Sequence, residues 1–162
     1  MARACLDESC SLFFFLLSSK HCDQTNGFDP FNNRMVFNSS ADYDIYPYQV
    51  KDGIWAFPTN HLCNSSRSWW IECEPEPVLV DCPPVKKATI EIPKTLSSGR
   101  KCQIILTNRE SHGRVSELQE EFGWSVIVQE QEAYLLPGLN RLITFSNEHE
   151  TASGIKLLWT PG

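Results

Sequence analysis

The chain has 162 residues, 41% hydrophobic and 21% charged, which is enough apolar material for one folded domain and too much for a disordered chain. Fourteen Lys and Arg against 20 Asp and Glu give a net charge of −6, which excludes the basic excess that generic nucleic-acid binding needs. No apolar run reaches the ~20 residues of a membrane span.

The most apolar stretch lies at residues 10–17 and runs into Ser18-Ser19 and Lys20-His21. A short apolar core ending in small polar residues reads as a secretory leader. Residues 1–19 are therefore expected to be a signal peptide and residues 20–162 a single domain. Asp7 and Glu8 offset Arg3, so a buried strand is the competing reading of the same run.

Residues 20–52 are polar and turn-rich, with short strands predicted at 34–37 and 45–50. Trp55-Ala56-Phe57 precedes a turn at Pro58-Thr59-Asn60, and residues 68–72 read as a strand around Trp69, Trp70 and Ile71. Glu74-Pro75-Glu76-Pro77 breaks regular structure, because proline lacks an N–H. Val78-Leu79-Val80 follows as a short apolar run. Residues 88–92 alternate with period two and predict a strand, as do 102–107, 124–128, 139–145 and 155–159. One helix is predicted, where Val115, Leu118 and Phe122 share a face. Ser116 with Gln119 resembles a capping box, and Gly123 suits the position after the helix. Many short strands separated by turns predict an all-β fold, a two-sheet antiparallel β-sandwich with one short helix.

Seven cysteines occur, at 5, 10, 22, 63, 73, 82 and 102. None forms a C-x-x-C pair, so zinc-ribbon and thioredoxin readings lack their spacing. His61-x-Cys63 alone is too few ligands for a metal site. Disulfides in an oxidising compartment are the simpler reading. Asn38-Ser39-Ser40 and Asn64-Ser65-Ser66 are glycosylation sequons, placing Asn38 and Asn64 as candidate sites and agreeing with a secreted chain.

Residues 57–63 and 69–71 together resemble the aromatic-Pro-Asn…Cys…Trp-x-Ile signature of CUB domains. Residues 139–147 and 154–159 resemble that family's last two strands. The chain resembles the divergent CUB-like domains of nematode secreted proteins more than the standard module. The resemblance implies a CUB-like jelly-roll and pairings Cys22–Cys63 and Cys82–Cys102, with Cys73 left over. A disulfide closing about 20 residues adds on the order of 3 kcal/mol. The resemblance also implies a secreted, non-catalytic module that recognises extracellular protein or carbohydrate, in epithelial or innate-immune defence. It places Trp69 and Ile71 inward and turns Trp70 outward as a candidate binding surface. The family's calcium-binding Asp is replaced by Asn147, so no metal and no cofactor is expected.

Catalysis has a weaker basis. Ser111-His112 with Glu117, Glu120 and Glu121 contains the residue types of a nucleophile, base and orienter, but no Gly-x-Ser-x-Gly or HExxH motif surrounds them. A small secreted hydrolase using a His with Ser111 or a Glu is one alternative function. An intracellular cysteine-rich protein is the other.

Overall fold

A computed structural model of the chain describes residues 2–6, 27–29, 34–36, 47–59, 67–85, 87–136 and 138–160. The larger sheet contains β2 (Gly27–Asp29), β3 (Arg34–Val36), β4 (Tyr48–Lys51), β5 (Ile54–Ala56), β6 (Trp69–Ile71) and β7 (Val78–Val80). Beyond these come β8 (Gln103–Ile105), β9 (Ser125–Gln129) and β10 (Leu142–Phe145). Their order is β10-β9-β8-β7-β6-β5-β4-β2-β3. A second sheet pairs β1 (Ala2–Leu6), β12 (Ile155–Trp159) and β11 (Glu148–Glu150) in the order β1-β12-β11. The α-helices among the described residues are α1 (Lys87–Ser97), α2 (Val115–Phe122) and α3 (Glu130–Ala133). Ala2–Leu6 belong to the expected leader and here pair antiparallel with Ile155–Trp159.

The all-β antiparallel sandwich is overturned by the strand directions. β7 with β8, β8 with β9 and β9 with β10 are parallel pairs. Parallel neighbours cannot be joined by a hairpin and need a crossover. The chain supplies α1 between β7 and β8, α2 between β8 and β9, and α3 between β9 and β10. The remaining pairs, from β7 to β6 outward, are antiparallel. The fold is α/β with a mixed sheet.

Strand parity divides the core into two layers. Leu79, Ile104, Val126 and Val128 point to one face, where they pack with Phe57, Trp70 and Trp124 beneath Ile92 of α1 and Val115 and Leu118 of α2. Val78, Ile105 and Ile127 point to the other face, against Phe145 and against Ile155 and Leu157 of β12. A strand covered on both faces is apolar at every position, which explains the unbroken runs at 78–80, 104–106 and 126–128.

The segment 88–92, expected as a strand, lies in α1. Thr89, Ile92 and Pro93 are buried and so is Ser97, a helical spacing that overlaps the period-two alternation of Ile90 and Ile92. Burial of that face overrides the β-branched propensity and the cost of Pro93 inside the helix. Helix α2 lies where expected, but Arg114 precedes it without a side-chain cap, so the Ser116 capping box is not formed. Gly123 does close it, at φ 67°, donating its N–H to Gln119 O at 2.8 Å. A Cβ at Gly123 would meet Arg141 Nη1 at 3.1 Å. Gly123→Ala is therefore expected to lower stability by about 1–2 kcal/mol through its left-handed backbone, as read by urea denaturation; an unchanged midpoint would contradict this cap.

Two further expectations are corrected here. Cys82 and Cys102 are thiols, not a disulfide. Gln103 N donates to Pro77 O and Val78 is opposite Gln103, so Cys102 lies at the start of the parallel β7–β8 pair. Cys82 lies two residues past its other end. The four residue steps from Pro77 to Asp81, before the chain turns, span roughly 13 Å, beyond the roughly 4.4–6.8 Å between Cα atoms that a disulfide tolerates. Burial pushes the Cys102 thiol up to about 12. Cys22, Cys63, Asn38 and Asn64 lie outside the described residues.

Trp70 is the second correction. It is 0% exposed, its ring 6.0 Å from that of Trp124, and its Nε1 donates to Glu72 Oε2 at 2.9 Å. Trp69 and Trp70 do alternate across the strand, but Trp70 takes the helix-covered core face and Trp69 is half-buried. Trp70 cannot present a ring to a ligand.

Candidate functional site

Ligands of open α/β sheets bind outside the carboxyl ends of the parallel strands. In this chain those ends are Asp81 after β7, Leu106 and Thr107 after β8, Glu130 after β9 and Ser146 after β10. The antiparallel registers of β5, β6 and β7 bring residues 57–59 and 67–68 to the same edge, since Ala56 is opposite Trp69 and Trp69 opposite Val80. There Arg67 donates to Tyr48 Oη at 3.2 Å and to Thr59 Oγ1 at 3.3 Å.

Asp81 is the centre of this edge. The ladder runs one residue beyond β7, with Asp81 N donating to Ile105 O at 2.8 Å. The chain then turns through a left-handed residue, Asp81 at φ 59°. Such backbone is uncommon outside glycine and is held only where the surroundings impose it. The side chain is 7% exposed. Its Oδ1 accepts the Thr107 N–H at 2.8 Å, and the Thr107 hydroxyl lies 3.0 and 2.9 Å from the two carboxyl oxygens. Burial pushes the Asp81 carboxyl up to about 6, outweighing the lowering effect of the Thr107 N–H and hydroxyl.

The hydrogen bonds continue from Thr107. Asn108 Nδ2 donates to Thr107 Oγ1 at 3.2 Å. Asn108 Oδ1 accepts Ser111 N–H at 2.9 Å and Ser111 Oγ–H at 3.1 Å, capping a 3-10 turn at Arg109–His112. Ser111 O accepts the Cys82 N–H at 3.1 Å, which returns the chain of contacts to the residue beside Asp81. Arg109 N donates to Glu132 Oε2 at 2.9 Å, and Ser146 Oγ to Glu130 Oε2 at 3.0 Å, tying the ends of β8, β9 and β10 together.

The Ser111-His112 pair expected as nucleophile and base is not assembled. Ser111 is 3% exposed and its hydroxyl is on Asn108. His112 turns Nδ1 to Arg109 O. Glu117 pairs with Arg114 at 2.5 Å, and Glu120 and Glu121 are exposed on α2. Asp81 and Thr107 were missed by sequence reading. The signal available was an apolar run ending abruptly in a polar residue, Val78-Leu79-Val80-Asp81 and Ile104-Ile105-Leu106-Thr107.

No family model matches the chain, and no curated protein matches it in sequence. Solved structures do. A B3 metallo-β-lactamase with an active-site glutamic acid aligns at TM-score 0.53 and 16% identity, covering 67% of this chain and 48% of that one. A metallo-β-lactamase from Pontibacter korlensis aligns at 0.51 and 17%, covering 68% and 57%. The DIM-1 metallo-β-lactamase exposed to ceftazidime aligns at 0.54 and 15%, covering 70% and 57%. The chain spans about half the length of these structures.

The likeness establishes the fold and corrects the CUB resemblance. The Trp-x-Ile motif sits on β6 of a mixed sheet, and the last two strands read from the sequence fall in two different sheets. The non-catalytic recognition module is corrected with it, since that reading came from the CUB likeness and the structures sharing this fold are enzymes. Their class name also implies a metal, and the described residues at this edge do not fit one. Among the described residues no three of His, Cys, Asp and Glu come together as a metal-binding group. Asp81 is already met by two donors from Thr107, and Asn108 Oδ1 by two from Ser111. The chain has the metallo-β-lactamase fold.

Proposed function

We propose that the chain is a hydrolase of acyl bonds, a carboxylic ester or amide, with Asp81 as its acid–base group. The observation that carries this reading is Asp81 itself. A carboxyl group is held in left-handed backbone, almost fully buried, at the strand edge where α/β folds place their ligands. A carboxyl titrating at about 6 suits proton transfer near neutral pH better than one at its ordinary value. The solved neighbours act in a compatible chemical class, β-lactam hydrolysis being cleavage of an amide.

The chemistry is written around Asp81. Its carboxylate takes a proton from a water as the water oxygen bonds to the acyl carbon. The bond from that carbon to the leaving oxygen or nitrogen then breaks, and the Asp81 proton passes to the leaving atom. Thr107 fixes the carboxyl orientation through its N–H and hydroxyl, as effective proton transfer demands a positioned base.

The test is hydrolysis of a panel of p-nitrophenyl esters, aryl amides and a chromogenic β-lactam by the full chain across pH 4.5–8.5. The expected result is kcat/KM that rises through a midpoint of about 6 for at least one class. No turnover across the panel, or a profile without that midpoint, would overturn the reading.

A further inference from the structure

We infer that the C-terminal edge of β7–β8 is a metal-free site, closed by a hydrogen-bond ring that occupies the donors a metal would need. The ring runs from the Asp81 carboxyl to Thr107, from the Thr107 hydroxyl to the Asn108 amide, and from Asn108 Oδ1 to Ser111. It returns from Ser111 O to the backbone of Cys82. Each link is 2.8–3.2 Å long, within normal hydrogen-bond range.

Three features of this ring oppose a cation. Both oxygens of Asp81 face the Thr107 hydroxyl, and Oδ1 also faces a backbone N–H. A metal there would displace contacts that also hold the ends of β7 and β8 together. Asn108 Oδ1 is the N-cap of the 3-10 turn, accepting from two donors of Ser111. An amide oxygen so used is a poor ligand for zinc, which favours imidazole and thiolate. A carboxyl that burial keeps largely neutral at mildly acidic pH is also the reverse of a metal ligand, which must be deprotonated.

Function without a metal has a direct chemical consequence. Charge developing on the acyl oxygen must be met by protein donors, and the nucleophilic water must be activated by Asp81 alone. This part rests on the hydrolase reading; the metal-free state does not, because it is read on the protein without substrate.

The experiment measures metal and amide signals, not activity. The full chain is produced in medium supplemented with zinc, iron, manganese and cobalt, desalted and analysed by plasma mass spectrometry. It is then titrated with zinc while the Thr107 and Ser111 amide signals are followed by NMR. The expected result is below about 0.1 equivalent of any of these metals, with both amide signals unmoved by zinc. One equivalent of retained metal, or a shift at Thr107 or Ser111 that saturates at one equivalent of zinc, would overturn the inference. Hydrolysis that survives a chelator supports both readings. A metal-free protein without hydrolysis leaves this inference standing and sinks the hydrolase.

Discussion

Trp70→Ala is expected to cost about 3–5 kcal/mol, a large part of the stability of a small domain. Trp70 fills the layer between the sheet and its helices, with Trp124, Leu79 and Phe57 in the same cluster. On β6 it lies between Trp55 of β5 and Leu79 of β7, so its loss opens a cavity at the middle of the large sheet. The truncation also strips Glu72 of the indole N–H it accepts at 2.9 Å. Trp69→Ala, on the opposite and half-buried side, is expected to cost roughly half as much, by its smaller buried area. Urea denaturation of the two variants decides the matter. A larger loss from Trp69→Ala would mean that β6 presents its other face to the helices.

Asp81→Asn should separate stability from activity. A carboxyl raised to about 6 in the folded chain and near 3.8 when unfolded binds more protons folded than unfolded between those values. Its contribution is therefore fully favourable below pH 3.8 and is lost as pH rises through 6. At pH 7.5 the folded state carries an ionised, buried Asp81 at a cost on the order of 3 kcal/mol relative to the neutral group. Asparagine removes that ionisation, tolerates left-handed backbone, and keeps an oxygen for the Thr107 N–H. The variant is expected to gain about 1–2 kcal/mol at pH 7.5, less than the full cost because some charge-assisted bonding to Thr107 is given up, and to gain nothing at pH 4, where Asp81 is already neutral. Hydrolysis is expected to fall about 10²–10⁴-fold, as for loss of a general base. Paired denaturation curves at the two pH values, with turnover on the same samples, check both halves. A variant less stable at pH 7.5 than at pH 4, relative to the parent chain, would contradict the raised carboxyl.

Much of the secondary structure was legible in the sequence. The segments around Trp70, Ile104, Ile127, Thr144 and Leu157 are strands as expected, and α2 runs from Val115 to the residue before Gly123. Their arrangement was not legible, for a physical reason. A strand's local signature is the same whether its neighbour runs parallel or antiparallel. What distinguishes a strand covered on both faces is a run without polar interruption, as at Val126-Ile127-Val128. The decisive misreading lay at residues 88–92, where two isoleucines two apart mimic a strand while Thr89, Ile92 and Pro93 mark a buried helical face. Taking that crossover as a strand turned a parallel α/β unit into a sandwich, and the spacing of Cys82 and Cys102 then looked like a disulfide.

The candidate site was half visible. Ser111-His112 lies in the segment that carries Thr107 and Asn108, but Ser111 is buried as part of a capped turn and not offered to a substrate. Asp81 carried no motif. A lone acid after an apolar run reads as a turn residue, and only the parallel register of β7 with β8 reveals that it meets Thr107 from a strand remote in sequence.

The most direct test is a carboxyl-carbon NMR titration of Asp81 in the full chain, assigned by comparison with Asp81→Asn. A midpoint near pH 6 is expected, with Thr107→Val moving it upward as the hydroxyl that favours the carboxylate is removed. A midpoint at 3.8 or below would show a solvated or ion-paired carboxylate in place of the buried acid on which the proposed site depends.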